Sequence, residues 1–164
     1  MMRFIIIIFL IVLVGYACVK AKTKNPVPVI EFKELDHLQK SEFTLQDTAV
    51  LVFNYEDGDG DIFLDNASQG PNLIFIPFFF NTTTNKFDVQ IDPYTKDTLR
   101  ITNTAIQPDN GYYKGKSIKG DISMPLSQYR PNDKVKRIKF TGFVVDAKGH
   151  KSNVIASPEY SLSY

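Results

Sequence analysis

Short runs of alternating hydrophobic and polar residues, separated by turn residues, fill most of the chain beyond residue 28. Residues 48–56, TAVLVFNYE, are the clearest case. Leu51, Phe53 and Tyr55 share one face of an extended chain, and Val50, Val52 and Asn54 share the other. Both faces are partly apolar, which predicts an internal strand in a sheet packed on a second layer. Residues 72–80, NLIFIPFFF, are the most hydrophobic run after the leader. Pro77 removes a backbone donor there, so an edge strand, a bulge or two short strands are expected. Further strand patterns lie at 29–32, 87–91, 98–102, 117–126, 135–145 and 153–162, with turns at 81–85, 92–93, 109–111 and 147–150. Only residues 31–39 carry a helical signal, of a turn or two. About seven to nine short strands with turns between them predict an all-β antiparallel sandwich, with an eight-stranded barrel as the competing architecture.

The first residues follow another pattern. A basic start ending at Arg3 precedes an unbroken run of 11 apolar residues, FIIIIFLIVLV. About 20 are needed to span a bilayer, so residues 1–17 are expected to be a cleaved signal peptide, against the alternative of an uncleaved anchor. Cys18 is the one cysteine of the chain, so it has no internal disulfide partner. The stretch VGYAC resembles the lipobox of bacterial lipoproteins, which implies lipidation at Cys18; an ordinary signal peptide cut nearby is the other reading. Tyr16 is bulkier than that motif prefers. Residues 18–28, with Lys20, Lys22, Lys24, Pro26 and Pro28, are expected as a tether, and residues 29–164 as one domain. The chain has 19 basic and 18 acidic residues, a balance with no surplus for nucleic acid.

A local acidic imbalance is EDGDGDIFLD at 56–65, with five carboxylates in ten positions. Two unit charges about 4 Å apart repel by about 1 kcal/mol in water, and by more when partly desolvated. Looped calcium sites draw alternate ligands from the chain, one of them a backbone carbonyl. Asp57, Asp59, Asp61, the Phe63 carbonyl and Asp65 follow that alternation. Ile62 and Ser68 occupy the positions where an EF-hand has glycine and glutamate, so this is a different kind of loop. Oxygen donors without nearby His or Cys suit Ca2+ rather than zinc, and a stabilising ion is expected. The competing reading is a solvated acidic turn. Asn66-Ala67-Ser68 and Asn81-Thr82-Thr83 match the N-glycosylation pattern, but read as turn chemistry.

PVIEF, YEDGDGDI, NLIF and FVVDAKGHKSNVIASPEYSL occur in that order. Together they resemble small exported lipoproteins of Bacteroidetes-type bacteria with an immunoglobulin-like β-sandwich. In such domains a strand ends in a motif like Asp-x-x-Gly-Asn-Lys-Ser-Asn; here residues 146–153 read DAKGHKSN, with His150 in the place of Asn. The resemblance implies fold and location more than activity. It also suggests Asp146 as a further metal ligand from a loop at the same end as 57–65; an Asp that caps its own turn is the alternative.

The expected function is a non-enzymatic, calcium-stabilised binding or scaffolding module, held by its lipid anchor on the outer membrane and facing the periplasm. Its partner would be an envelope protein or a glycan. The alternative is a glycan-active hydrolase using a carboxylate pair. His37 and His150 are the only histidines, and no G-x-S-x-G elbow or phosphate-binding glycine loop is present.

Overall fold

The structure is a computed structural model that describes residues 25–38, 48–92, 94–108, 113–126 and 136–161. The expected signal segment, Cys18, most of the tether and the 109–111 turn lie outside the described residues. Nine strands are present among those described: β1 (Val29–Leu38), β2 (Thr48–Asp57), β3 (Leu73–Asn81), β4 (Lys86–Val89), β5 (Ile101–Asn103), β6 (Ile118–Pro125), β7 (Arg137–Val144), β8 (Ile155–Ala156) and β9 (Tyr160–Ser161). One 3-10 turn, Ala67–Gln69, is the only helical element among them. No helix in the described residues is long and apolar enough to cross a membrane.

One sheet has the order β1-β2-β6 and the other β4-β3-β7-β8, with β5 also on β3 and β9 on β7. All pairs of named strands are antiparallel. The division of first, second and sixth strands against third, fourth, seventh and eighth is that of an immunoglobulin-like sandwich. Inward side chains of the two sheets form one core, with Leu51, Phe53, Ile122 and Met124 meeting Leu73, Phe75, Ile138, Phe140 and Val144. Phe53 and Phe75 join the layers at a ring separation of 5.5 Å. At the sheet edge Asn153 does the same with polar atoms. Its Oδ1 accepts from the Ile30 N–H at 2.8 Å and its Nδ2 donates to the Ile30 carbonyl at 2.8 Å.

The 153–162 pattern divides into the short β8 and β9, and two further segments depart from expectation. Residues 31–38, where a helical turn was expected, continue β1. Ile30 and Leu35 are both buried although they stand five positions apart, a spacing that puts them on opposite faces of a regular strand. A bulge between Phe32 and Glu34 shifts the register and turns Leu35 back to the core. Tertiary packing against β2 thus outweighs a weak local helical preference. Pro77 lies inside one continuous strand rather than at an edge or a break. On one side it pairs with Phe140 of β7. On the other side β5 covers residues 73–75 and β4 covers 78–81, which leaves Pro77 opposite the gap between them. A missing N–H is tolerated at such a locally unpaired position.

Cross-strand packing explains a glycine in β7. Gly142 is the register partner of Phe75, and a Cβ there would lie 2.2 Å from the Phe75 ring. Gly142→Ala is expected to destabilise the fold by about 1–3 kcal/mol through overpacking, measured as a lower midpoint in urea denaturation.

Candidate metal centre

β2 delivers the acidic loop to one end of the sandwich. Asp57 is its last residue, and Asp57, Gly60, Asp61 and Ile62 are all buried. Asp57 shapes the turn with its own carboxylate: Oδ2 accepts from the Ile62 N–H at 2.7 Å and Oδ1 from the Asp59 N–H at 3.4 Å. Gly60 has φ +73, and a Cβ on it would lie 1.9 Å from the Tyr113 carbonyl oxygen. The positive angle and the close backbone both require glycine. Ile62, which is not in a strand, is fully buried and anchors the loop in the core.

The loop is tied to three other segments through its backbone. The Asp59 carbonyl accepts from Gly115 N–H at 2.6 Å and the Asp61 carbonyl from Ala147 N–H at 2.9 Å. Leu64 exchanges bonds with Ala105 and Gln107, each at 2.8 Å. The buried Asn72 side chain donates to the Ile62 carbonyl and accepts from the Ala105 N–H, both at 2.8 Å. With those carbonyls taken, the carboxylates are what the loop turns toward a shared centre.

Asp57, Asp59 and Asp61 each bring a carboxylate oxygen within 4.8 Å of the other two. Opposite ligands on one calcium ion lie about 5 Å apart, so this spacing is of the right size for an ion. Asp61 is only 5% exposed, and its Oδ1 has no hydrogen-bond partner; the same holds for the buried Oδ1 of Asp59. Buried polar atoms are rarely left so. The counter-charge comes from Lys148, whose ammonium pairs with Asp59 Oδ2 and lies 3.0 Å from Asp61 Oδ2, without a well-aligned hydrogen bond to the latter.

Burial pushes the Asp57 carboxyl above its usual pKa, with the Asp59 charge adding to it and the Ile62 and Asp59 N–H groups opposing. Burial also raises Asp61; Lys148 opposes, and the charges of Asp146 and Asp59 reinforce. Burial would raise Asp59 too, but Lys148 at its Oδ2, together with the neighbouring Asp61 and Asp57 carboxyls, outweighs that and holds it low. Lys148 is pushed up by the carboxylates of Asp59 first and then Asp61.

The other two proposed ligands are placed differently. Asp65 is exposed and pairs with Lys114 at 2.7 Å, apart from the three-carboxylate group. Asp146 is buried beside the loop, as the Ala147–Asp61 bond requires, but its oxygens serve its own turn. Oδ1 accepts from the N–H groups of Lys148 at 2.9 Å and His150 at 2.8 Å, and Oδ2 lies 2.8 Å from His150 Nδ1. The arrangement can hold a divalent cation through Asp57, Asp59 and Asp61. Lys148 and Asn72, which complete the centre, carry no sequence signal beyond their residue type; the Lys148–Asp59 pair is 89 positions apart.

Gly60→Ala should lower stability by more than about 1 kcal/mol, read by thermal melting. A second expectation concerns pH in chelator. Asp57 and Asp61 have folded pKa values above the usual 3.8, so the stability they contribute is full below that value and is lost as pH rises through the raised values. Asp59 acts in the opposite sense, below 3.8. As pH rises above 3.8 the wild type should therefore lose stability relative to Asp61→Asn, whose side chain stays neutral. A melting difference that does not change with pH would contradict the upward shift of Asp61 itself.

No protein-family model matches the chain, and no curated protein matches it. A solved structure, the X-ray structure of Northeast Structural Genomics Consortium target SoR45, aligns over 84% of this chain and 87% of its own at 9% identity, with a TM-score of 0.24. That degree of likeness carries no argument about fold or function.

Proposed function

We propose that the protein is a non-enzymatic envelope module, lipid-anchored through Cys18, whose acidic tip is held by calcium and whose sandwich serves binding or scaffolding. The supporting observation is the triad Asp57, Asp59 and Asp61, with oxygens within 4.8 Å of one another and buried Oδ1 atoms of Asp59 and Asp61 that lack a donor. A divalent ion supplies what those oxygens lack. Calcium suits them better than zinc, because all three donors are hard carboxylate oxygens. It also suits them better than magnesium, which keeps most of its water and seldom takes a dedicated protein cage. The ion's part is structural: it removes like-charge repulsion at a loop that joins several segments.

The lipoprotein part of the reading rests on the apolar leader and on Cys18 in VGYAC. It places the module in the outer membrane, on the periplasmic side, with an envelope protein or glycan as its partner.

Calcium at about 100 times its dissociation constant should stabilise the fold by about 2.7 kcal/mol, roughly 5–10 °C in Tm. Magnesium at the same concentration should do much less, and Asp61→Asn should abolish the calcium response. Differential scanning calorimetry in chelator and in millimolar calcium makes the comparison. Equal melting temperatures in the two buffers would remove the proposal.

A further inference from the structure

We infer that Lys148 sets the calcium affinity of the acidic loop, by competing with the ion for Asp59 and Asp61. The inference rests on the metal-site reading above. Three observations carry it. Lys148 brings a cation to the triad: its ammonium pairs with Asp59 Oδ2 and sits 3.0 Å from Asp61 Oδ2. The carboxylates are fixed while the lysine reaches in from outside, since the Lys148 side chain is 58% exposed and that of Asp61 8%. The turn that carries Lys148 does not depend on its ammonium. Asp146 holds the backbone N–H groups of Lys148 and His150, and the Ala147 N–H holds the Asp61 carbonyl at 2.9 Å. The side chain can leave without unravelling either loop.

The triad therefore has two means of charge compensation. A tethered ammonium brings one positive charge and reaches two of the three carboxylates. A calcium ion brings two charges and reaches all three. If the ion uses Asp59 and Asp61 through the oxygens that Lys148 occupies, the ammonium must be expelled. If it uses their Oδ1 atoms, the ammonium remains close by and repels it. An ammonium and a divalent cation held a few ångströms apart repel each other even in water, and twice as strongly as two unit charges would. Both arrangements weaken binding, so the same lysine that steadies the loop without metal raises the calcium concentration at which the ion takes over. Such a competitor moves a site toward the range of about 0.1–1 mM at which extracellular modules bind calcium.

Isothermal titration with calcium chloride on the full-length chain in mild detergent tests this with Lys148→Met, Lys148→Gln and Lys148→Arg. Both neutral variants should bind calcium about 5–10-fold more tightly than wild type. Lys148→Arg should stay within about twofold of wild type. In chelator the neutral variants should also melt below wild type, and the order should reverse or level in millimolar calcium. Should one neutral variant fail to fold, the other still decides. If wild type binds calcium and the neutral variants bind equally or more weakly, Lys148 is no competitor, and the metal site stands without this inference. If neither wild type nor any variant binds, the metal reading fails and the inference with it. Binding by the neutral variants alone supports both.

Discussion

Like charges confined at the end of a sandwich are the constraint on which the tip of this molecule depends. Asp57, Asp59 and Asp61 cannot separate, because the loop that bears them is held through Asp59, Asp61 and Leu64 to segments 105–107, 115 and 147. Nor can they be fully hydrated, because Asp57 and Asp61 are buried. Repulsion at close range under partial desolvation is worth several times its value in open water. The fold answers with two kinds of positive charge donor: backbone N–H groups aimed at Asp57, and the ammonium of Lys148 on Asp59 and Asp61. Neither reaches the Oδ1 atoms of Asp59 and Asp61.

The core makes that confinement possible. Ile62 lies within the same cluster as Phe53 and Phe75, so the loop is nailed to the sandwich by an apolar residue placed directly after the last aspartate of the triad. Asn72 then closes the region with polar bonds to the Ile62 carbonyl and the Ala105 amide. A buried amide that satisfies two backbone groups at once is expensive to replace, since each orphaned group costs about 1–3 kcal/mol. Apolar anchoring and polar bracing act on adjacent residues, and the electrostatic strain of the triad is borne by both.

Much of the architecture was readable from period and punctuation. The two-faced β2 is central as its apolar residues require, and Ile138, Phe140 and Val144 of β7 face inward as their alternation requires. The exceptions have a common cause, which is that pairing partners are not written locally. The bulge at Phe32/Glu34 follows from the register against β2, and the tolerance of Pro77 from the gap between β4 and β5. The same holds at the metal centre. Spacing alone brought out Asp57, Asp59 and Asp61, because a short glycine-rich loop must bring its alternate residues together. Spacing could not reveal that Asp65 would pair with Lys114, that Asp146 would be absorbed by its own turn, or that Lys148 would arrive from the other sheet's loop. The stretches at 66–68 and 81–83, by contrast, are local turn chemistry: Asn66 Oδ1 accepts from Ser68 N–H and Asn81 Oδ1 from Thr83 N–H.

The register of β1 on β2 has a directional consequence. Val29 pairs with Glu56, so the polypeptide enters the sandwich one residue away from the first aspartate of the triad. The β3–β4 turn at 82–85 lies at the far end, because β3 begins beside the loop and runs away from it. Anything that fastens the chain ahead of residue 25 thus pulls on the carboxylate pole, and the opposite pole, with its threonine-rich turn, is the one left to swing outward. A pull applied there would be felt first where the charges are packed.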